Sequence, residues 1–442
     1  MACPADEGMP VVQTPGLSGG RPLRFCMLST FYPPWHFGGD AIHVQRLAHA
    51  LIAQGHEVTV VYSPQVHRIL SRSRPQEPVE HRGANAVPLD DNLPSLVGTY
   101  LTGRPWHARR QLQDVLERGF DVLHFHNPSL LGAPVLLGMG EGIKLYTAHE
   151  QWLLCPSHVL WRRSGRVCAD PPCWSCEISH GRPPQLWRRT GVLERCLEQL
   201  DALILPSRTS AKLHRRFAGR TRIEVLEHFV PDPRHSRVTG QQDGEFQHPR
   251  QPYFLYAGRL EPIKGVIDLI EVFRRRSETL VIAGDGGLAR STRRAARGLP
   301  NVCFTGWLSS GELDALYRDA LAIVVPTLGH EAFGLVAAEA FAHGTPAVVR
   351  RFGALAELAA ETGAALTFES PAQLDGALGR IAGDPALRED LGRRARIAYT
   401  ERFTADGHLR RYLSLIADLA RRRGDDGLAG AAHAGRVIGA AR

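Results

Sequence analysis

Lysine is nearly missing from this chain: of 53 lysine and arginine residues in 442, only Lys144, Lys212 and Lys264 are lysines. The formal net charge of +8 is therefore almost all arginine, and no aromatic-interleaved basic module accompanies it, so no nucleic-acid partner is expected. Peripheral contact with anionic lipid is a better use for such a surface. Long apolar runs are missing as well, which argues against a membrane-spanning helix. The opening MACPADEGMPVVQTPGLSGG has neither a charged start nor an apolar stretch, so no secretion signal is read and a cytoplasmic place is expected, with the inner face of the membrane as the site of any lipid contact. In that setting disulfides are the less expected fate of the eight cysteines. What is there is ordinary for a globular protein, 43% hydrophobic and 22% charged, and long enough for two or three domains with full cores.

Apolar runs ending in polar loops alternate with helical patterns along most of the chain. Residues 1–20 carry no periodicity and read as a disordered lead. Leu23 to Ser29, the loop FYPPWHFGGD, Ala41 to Gln54 and Glu57 to Tyr62 read as strand, glycine loop, helix and strand, with Ile42, Val44, Leu47, Ala48 and Leu51 as the helix's apolar face. Further strands are expected at Val122 to His126, Lys144 to Ala148, Ala202 to Leu205 and Ile223 to Leu226. A polar, aperiodic stretch at 231–252 is the expected linker. A second set follows at Tyr253 to Ala257, Thr279 to Ala283, Val302 to Thr305, Ala320 to Val325 and Pro346 to Val349. This alternation predicts an α/β architecture of two doubly wound, Rossmann-like parallel sheets: 21–230, carrying a cysteine-rich insertion at 155–176, and 253–402. Helices then run to Arg423 with a break at Phe403 and Thr404, and 424–442 is expected to be mobile.

The chain is organised around PTLGHEAFGLVAAE, residues 326–339. A helix starting near Phe333 would turn the amides of Phe333, Gly334 and Leu335 outward and add dipole charge, which makes an anion site. Glu331 stands before that mouth, and Glu339 sits about 12 Å deeper if the helix is regular. The loop GRLEPIKG offers Arg259 and Lys264 between glycines at a strand's carboxyl end, a donor fork and a point charge suited to a diphosphate. Gly38 and Gly39 let backbone approach a ligand closely. His149 ends a strand beside the same cleft, whereas His124 and His126, two apart on a strand, are more simply read as buried histidines satisfied by backbone. The GDGG turn at 284–287 is more simply a tight turn than a phosphate loop.

Cys155, Cys168, Cys173 and Cys176 lie at gaps of twelve, four and two residues, ending in C-x-x-C. Four thiolates would close a tetrahedral structural zinc site with no open position for chemistry. Reduced thiols or disulfides are the alternatives.

Together, GRLEPIKG, AGDGG, FTGWLSSGEL and HEAFGLVAAEAFAHGTPAVV, with FYPPWHFGGDAIHVQRLAHAL, DVLHFH and YTAHE upstream, resemble family 4 retaining glycosyltransferases of the GT-B fold. The resemblance implies two Rossmann-like domains facing a cleft, a nucleotide-sugar donor, and a carbohydrate, lipid-linked or small-molecule acceptor, with no cofactor required for catalysis. It implies that Arg259 and Lys264 grip the diphosphate with the amides of Phe333, Gly334 and Leu335. Glu331 would meet the sugar hydroxyls, Glu339 the ribose, His149 the transferred sugar, and Gly38 and Gly39 the diphosphate and acceptor. It also implies that 403–423 crosses back to the first domain. The chain departs from the family at Glu227-His228-Phe229, where Asn-Gly is common, and at Gly353-Ala354, where a glycine pair is common. A non-catalytic relative and a sugar-nucleotide epimerase are the rival readings.

Overall fold

The computed structural model describes residues 21–71, 81–162, 164–168, 174–179, 181–235 and 251–434. The expected lead at 1–20, most of the 231–252 linker, Cys173 and residues 435–442 lie outside the described residues.

In the first half, β1 (Arg24–Ser29), α1 (Gly39–Ala53) and β2 (Glu57–Tyr62) form the expected unit. There follow α2 (Pro64–Ser71), β3 (Asn85–Pro88), α3 (Leu93–Thr102), α4 (Arg109–Leu116), β4 (Val122–Asn127) and β5 (Ile143–Thr147). A hairpin of β6 (Trp161–Arg162) and β7 (Arg166–Val167), then α5 (Trp174–Ser179) and α6 (Val192–Leu197), lead to β8 (Ala202–Leu205), α7 (Arg208–His214) and β9 (Ile223–Val225). Seven strands pair in parallel in the order β3-β2-β1-β4-β5-β8-β9. Both faces are covered, which is why β1 is a nearly continuous apolar run: Phe25 and Met27 enter one core, Cys26 and Leu28 the other. The face of α1 differs from expectation, for His43 is buried where Ile42 is only partly so.

The second half runs β10 (Tyr253–Ala257), α8 (Val266–Phe273), β11 (Thr279–Ala283), α9 (Ala289–Ala295), β12 (Val302–Gly306), α10 (Ser310–Asp319) and β13 (Ala322–Val325). It continues with α11 (Leu335–Ala342), β14 (Ala347–Arg350), α12 (Gly353–Thr362), β15 (Ala365–Phe368), α13 (Pro371–Gly383) and α14 (Pro385–Arg402). The order is β12-β11-β10-β13-β14-β15, again parallel. Strand order reverses between β10 and β13 here and between β1 and β4 in the first sheet. The crevices at these switch points are where open sheets bind ligands, and the loops after β10, β13 and β1 open there.

The chain then returns. After a break at Phe403, α15 (Ala405–Arg422) lays Leu409, Leu413, Ile416 and Ala420 into the first sheet's core. The tail does not simply hang free: α16 (Asp426–Ala434) buries Leu428, Ala429, Ala431 and Ala432 in the same core. Its alanines and glycines look unstructured by composition, but they are small enough to pack closely on α15. The outgoing and returning crossings touch, since Val230 N donates to Phe403 O at 3.0 Å.

Candidate active site

The mouth of α11 is shaped by Gly334. This residue caps the helix at φ 105°, and a Cβ there would sit 2.8 Å from Leu355 Cδ2, so only glycine fits without movement. The helix begins at Leu335, two residues beyond Phe333, because the left-handed Gly334 stands before it as the cap. The outward amides therefore start with Leu335. Phe333 is itself buried, its ring 5.5 Å edge-on from both His228 and Phe403.

Below that mouth, the Lys264 ammonium lies 2.5 Å from Glu331 Oε1, and the Thr327 hydroxyl donates to the same oxygen at 2.9 Å. Burial pushes the Glu331 carboxyl up. The Lys264 charge and hydrogen bond, Thr327 and the Arg259 charge outweigh it and hold the group below its ordinary value. Arg259 is thus within electrostatic reach of Glu331, although its guanidinium bonds Glu261 of its own loop at 2.8 Å.

The loop carrying both cations is packed backbone on backbone. A Cβ on Gly265 would lie 2.4 Å from Pro326 O, at φ 69°, and one on Gly284 would lie 1.9 Å from Gly258 O. Leu328 N donates to Ile263 O at 2.8 Å and Leu260 N to Asp285 O at 2.9 Å. Gly284 and Gly286 of the GDGG turn serve this close packing, in keeping with a tight turn, while Gly287 faces open space.

From the first half, Gly39 meets α11 directly, since a Cβ on it would be 2.9 Å from Leu335 Cδ2; Gly38 faces open space. Arg46 of α1 reaches across to Glu339, Nη2 to Oε1 at 2.9 Å, and the Tyr317 hydroxyl donates to Oε2 at 3.0 Å. The other Arg46 nitrogen, Nη1, is buried without a hydrogen-bond partner. Further along, Ser207 and Ser210 hydroxyls donate to Ala332 O at 2.8 and 3.1 Å. The amides of Arg208 and Thr209 at the start of α7 both donate to the Glu357 carboxylate at 2.7 Å.

His149 sits in a file of imidazoles. Its Nε2 lies 2.9 Å from His126 Nδ1 and its Nδ1 lies 3.1 Å from His228 Nε2. His43 stacks beside His228 at 4.1 Å, and His124 bonds Thr147 at 2.8 Å and the Tyr412 hydroxyl at 2.9 Å. Burial lowers His149 to about 4, against the opposing pull of Asp40. His124 and His126 are buried as expected, but side chains rather than backbone carbonyls meet both ring nitrogens of His124 and Nδ1 of His126, whose Nε2 is buried without a partner. Sequence reasoning did not find Arg46, His228 or Glu357. The one available signal was the departure at Glu227-His228-Phe229.

In the cysteine segment, Cys155 and Cys168 are buried, and Cys168 N bonds Leu160 O across the hairpin at 2.7 Å. The Cys176 thiol is pushed up by burial and then by the nearby Cys155 and Cys168 thiols. Among the described residues no group of three or more ligating side chains is placed to hold a metal, and Cys173 lies outside them.

Residues 37–234 match the sequence profile Glycosyltransferase Family 4 and residues 241–398 that of Glycosyl transferases group 1. A glycogen synthase of Mycobacterium tuberculosis is 38% identical, over 91% of this chain and 96% of its own. An uncharacterized glycosyltransferase of Methanocaldococcus jannaschii is 24% identical, over 87% and 95%. Among solved structures, sucrose-phosphate synthase from Thermosynechococcus elongatus aligns with a TM-score of 0.62 at 20% identity, over 91% of this chain and 98% of that one. An Anabaena protein solved with UDP and glucose aligns at 0.62 and 14%, over 91% and 99%. Two parallel sheets, with α1 meeting α11 between the halves, and relatives matched over most of their length lead to one conclusion: the chain belongs to glycosyltransferase family 4 and is a glycosyltransferase of the GT-B fold.

Proposed function

We propose that the chain moves a sugar from a nucleoside-diphosphate sugar to an acceptor hydroxyl with retention of anomeric configuration, in polysaccharide, glycolipid or glycosylated-metabolite synthesis. The observation that carries this reading is the meeting of Lys264 with Glu331, and of Gly39 with Leu335 at the mouth of α11, on the loops after β10, β13 and β1. Lys264 exchanges Glu331 for the diphosphate, and half-exposed Arg259 swings from Glu261 to the same anion. The freed Glu331 accepts from the sugar hydroxyls, Glu339 from the ribose, and His149 borders the transferred sugar. The bond from the anomeric carbon to the diphosphate oxygen breaks as the acceptor oxygen bonds that carbon on the same face. The acceptor's proton passes to the departing phosphate. Two cations and the amides from Leu335 onward meet the developing charge, and this step asks for no divalent ion.

A thermal-shift screen of nucleotide sugars finds the donor, and proton NMR of the first product is expected to show the donor's own anomeric configuration. An inverted product removes the retaining route. Donor incubated alone should not epimerise, and donor binding without transfer to any acceptor would return the chain to the non-catalytic reading.

For the cysteine segment, a structural zinc held by Cys155, Cys168, Cys173 and Cys176 is the reading that four cysteines ending in C-x-x-C, two of them buried, support. Elemental analysis of purified chain should show stoichiometric zinc, lost in Cys155→Ser. Metal-free protein with four titratable thiols in this segment would end this assignment. A cytoplasmic place with peripheral membrane contact completes the proposal. Among the described residues no helix is long and apolar enough to cross a membrane.

A further inference from the structure

Most of the large apolar side chains left exposed in the described residues gather on one face of the first half. Leu93, Val97 and Leu101 recur every four residues along α3, and so form one stripe, at 54%, 45% and 40% exposure. Trp106, 58% exposed, lies against the same helix because Gly98 leaves room for it: a Cβ there would fall 2.6 Å from the indole. Two hydrogen bonds place Ile178 and Leu186 alongside. The Tyr100 hydroxyl meets Glu177 at 3.1 Å, and the Trp187 indole N–H meets Tyr100 O at 3.0 Å. Ile178 is 62% exposed and Leu186 58%. A patch of this kind marks an interaction surface rather than ordinary scatter.

The charge around it is mostly basic, although Asp90 and Asp114 are exposed at its edge and Glu177 is buried beside it. From Asn92 to Gln113 there is no aspartate or glutamate, while Arg104, Arg109 and Arg110 are exposed. From Ile178 to Leu193 there is again none, and Arg182 and Arg189 are exposed. A cavity of about 790 Å³ opens between α3 and α4, lined by Asn92, Arg104, Trp106 and Arg109 among others, and shares no residue with the candidate active site.

We propose that α3 and Trp106, flanked by Ile178 and Leu186, dock on an anionic phospholipid bilayer. This deepens, and rests on, the peripheral membrane contact proposed above. An apolar stripe with an exposed tryptophan suits the interfacial zone, and exposed arginines that outnumber the nearby carboxylates suit anionic headgroups. A second copy is the poorer occupant, since a two-fold pairing of this face sets arginine against arginine.

The full chain should co-sediment with vesicles of mixed phosphatidylglycerol and phosphatidylcholine but not with phosphatidylcholine alone, and should be released in roughly 1 M salt, where screening acts within ~3 Å. The triple variant Leu93→Ser/Val97→Ser/Leu101→Ser and the pair Arg104→Glu/Arg109→Glu should each lower partitioning about tenfold, as loss of apolar burial or of charge attraction implies. The thermal shift given by the donor nucleotide should stay unchanged in both, so failure of the donor reading and failure of docking are read separately. Wild-type partitioning in both variants, or equal binding to neutral vesicles, overturns the proposal. Self-association in light scattering that the same variants abolish would also overturn it, giving the face to a second copy.

Discussion

Lys264→Ala is expected to lower kcat by a factor of about a hundred to a thousand, the usual loss when one preorganised stabiliser of developing charge is removed. The lysine is the ammonium paired with Glu331, and the backbone packing of Gly265 on Pro326 fixes where it stands. The substitution also strands Glu331. At neutral pH we expect about 2 kcal/mol of lost stability, between the values for exposed and for fully buried pairs, since both side chains keep about a fifth of their exposure. The sign with pH follows from the direction of the shift. In the wild type the Glu331 carboxyl is held below its ordinary value, so its contribution is present above the unfolded value and lost as pH falls through the folded one. In the variant, burial is opposed only by Thr327 and Arg259, so the carboxyl rises and the stability gap to wild type narrows on acidification. Steady-state rates and melting curves at two pH values check both parts. Wild-type turnover in this variant would remove Lys264 from the diphosphate.

Acid should unfold the chain steeply. His43, His124, His126 and His228 are held well below the ordinary histidine range, His149 at about 4 and His408 at about 3, in each case first by burial. Neighbouring imidazoles add to this, as do Arg46 beside His228 and Arg411 beside His408; Asp40 beside His149 opposes it. These groups are neutral when folded and take up protons only when unfolded. Their cost is therefore absent above about pH 6.5 and grows as pH falls below it, by ~1.4 kcal/mol per pH unit for each ring. Six rings together reach about 8 kcal/mol per unit, comparable to the whole stability of a typical domain. Melting curves from pH 7.5 to 5 should show a collapse of Tm and uptake of several protons. A Tm constant within about 2 °C over that range would mean that the file of rings does not stay neutral.

The parallel sheets were readable because their inner strands are covered on both faces and spell out as short apolar runs before a glycine or polar loop. That Lys264 and the mouth of α11 share one rim was readable because both follow adjacent strands, β10 and β13, at a switch point, but the ion pair of Lys264 with Glu331 was not. The edge strand β15 was missed: three of its four residues are only partly buried or exposed, which leaves no apolar run. The start of α11 was misplaced because a left-handed glycine cap has no signature distinct from a helix-favouring alanine run. Arg46 with Glu339, and Glu357 on the α7 amides, join residues 293 and about 148 positions apart, and no local pattern encodes such pairs. The imidazole file was legible only in part, since period two on β4 puts His124 and His126 on one face but says nothing of α1, β9 or α15 arriving beside it.

The return of α15 and α16 has a consequence for biogenesis. Met27, Val44 and Leu47 share a core with Tyr412, Ile416 and Ala432, so the first sheet cannot be sealed until nearly the whole polypeptide has left the ribosome. The second sheet draws its covering helices from within its own stretch and can close earlier. The nascent N-terminal half is thus the part that must be sheltered during translation, and a protein cut after Val230 would be a client for chaperones rather than a free-standing domain.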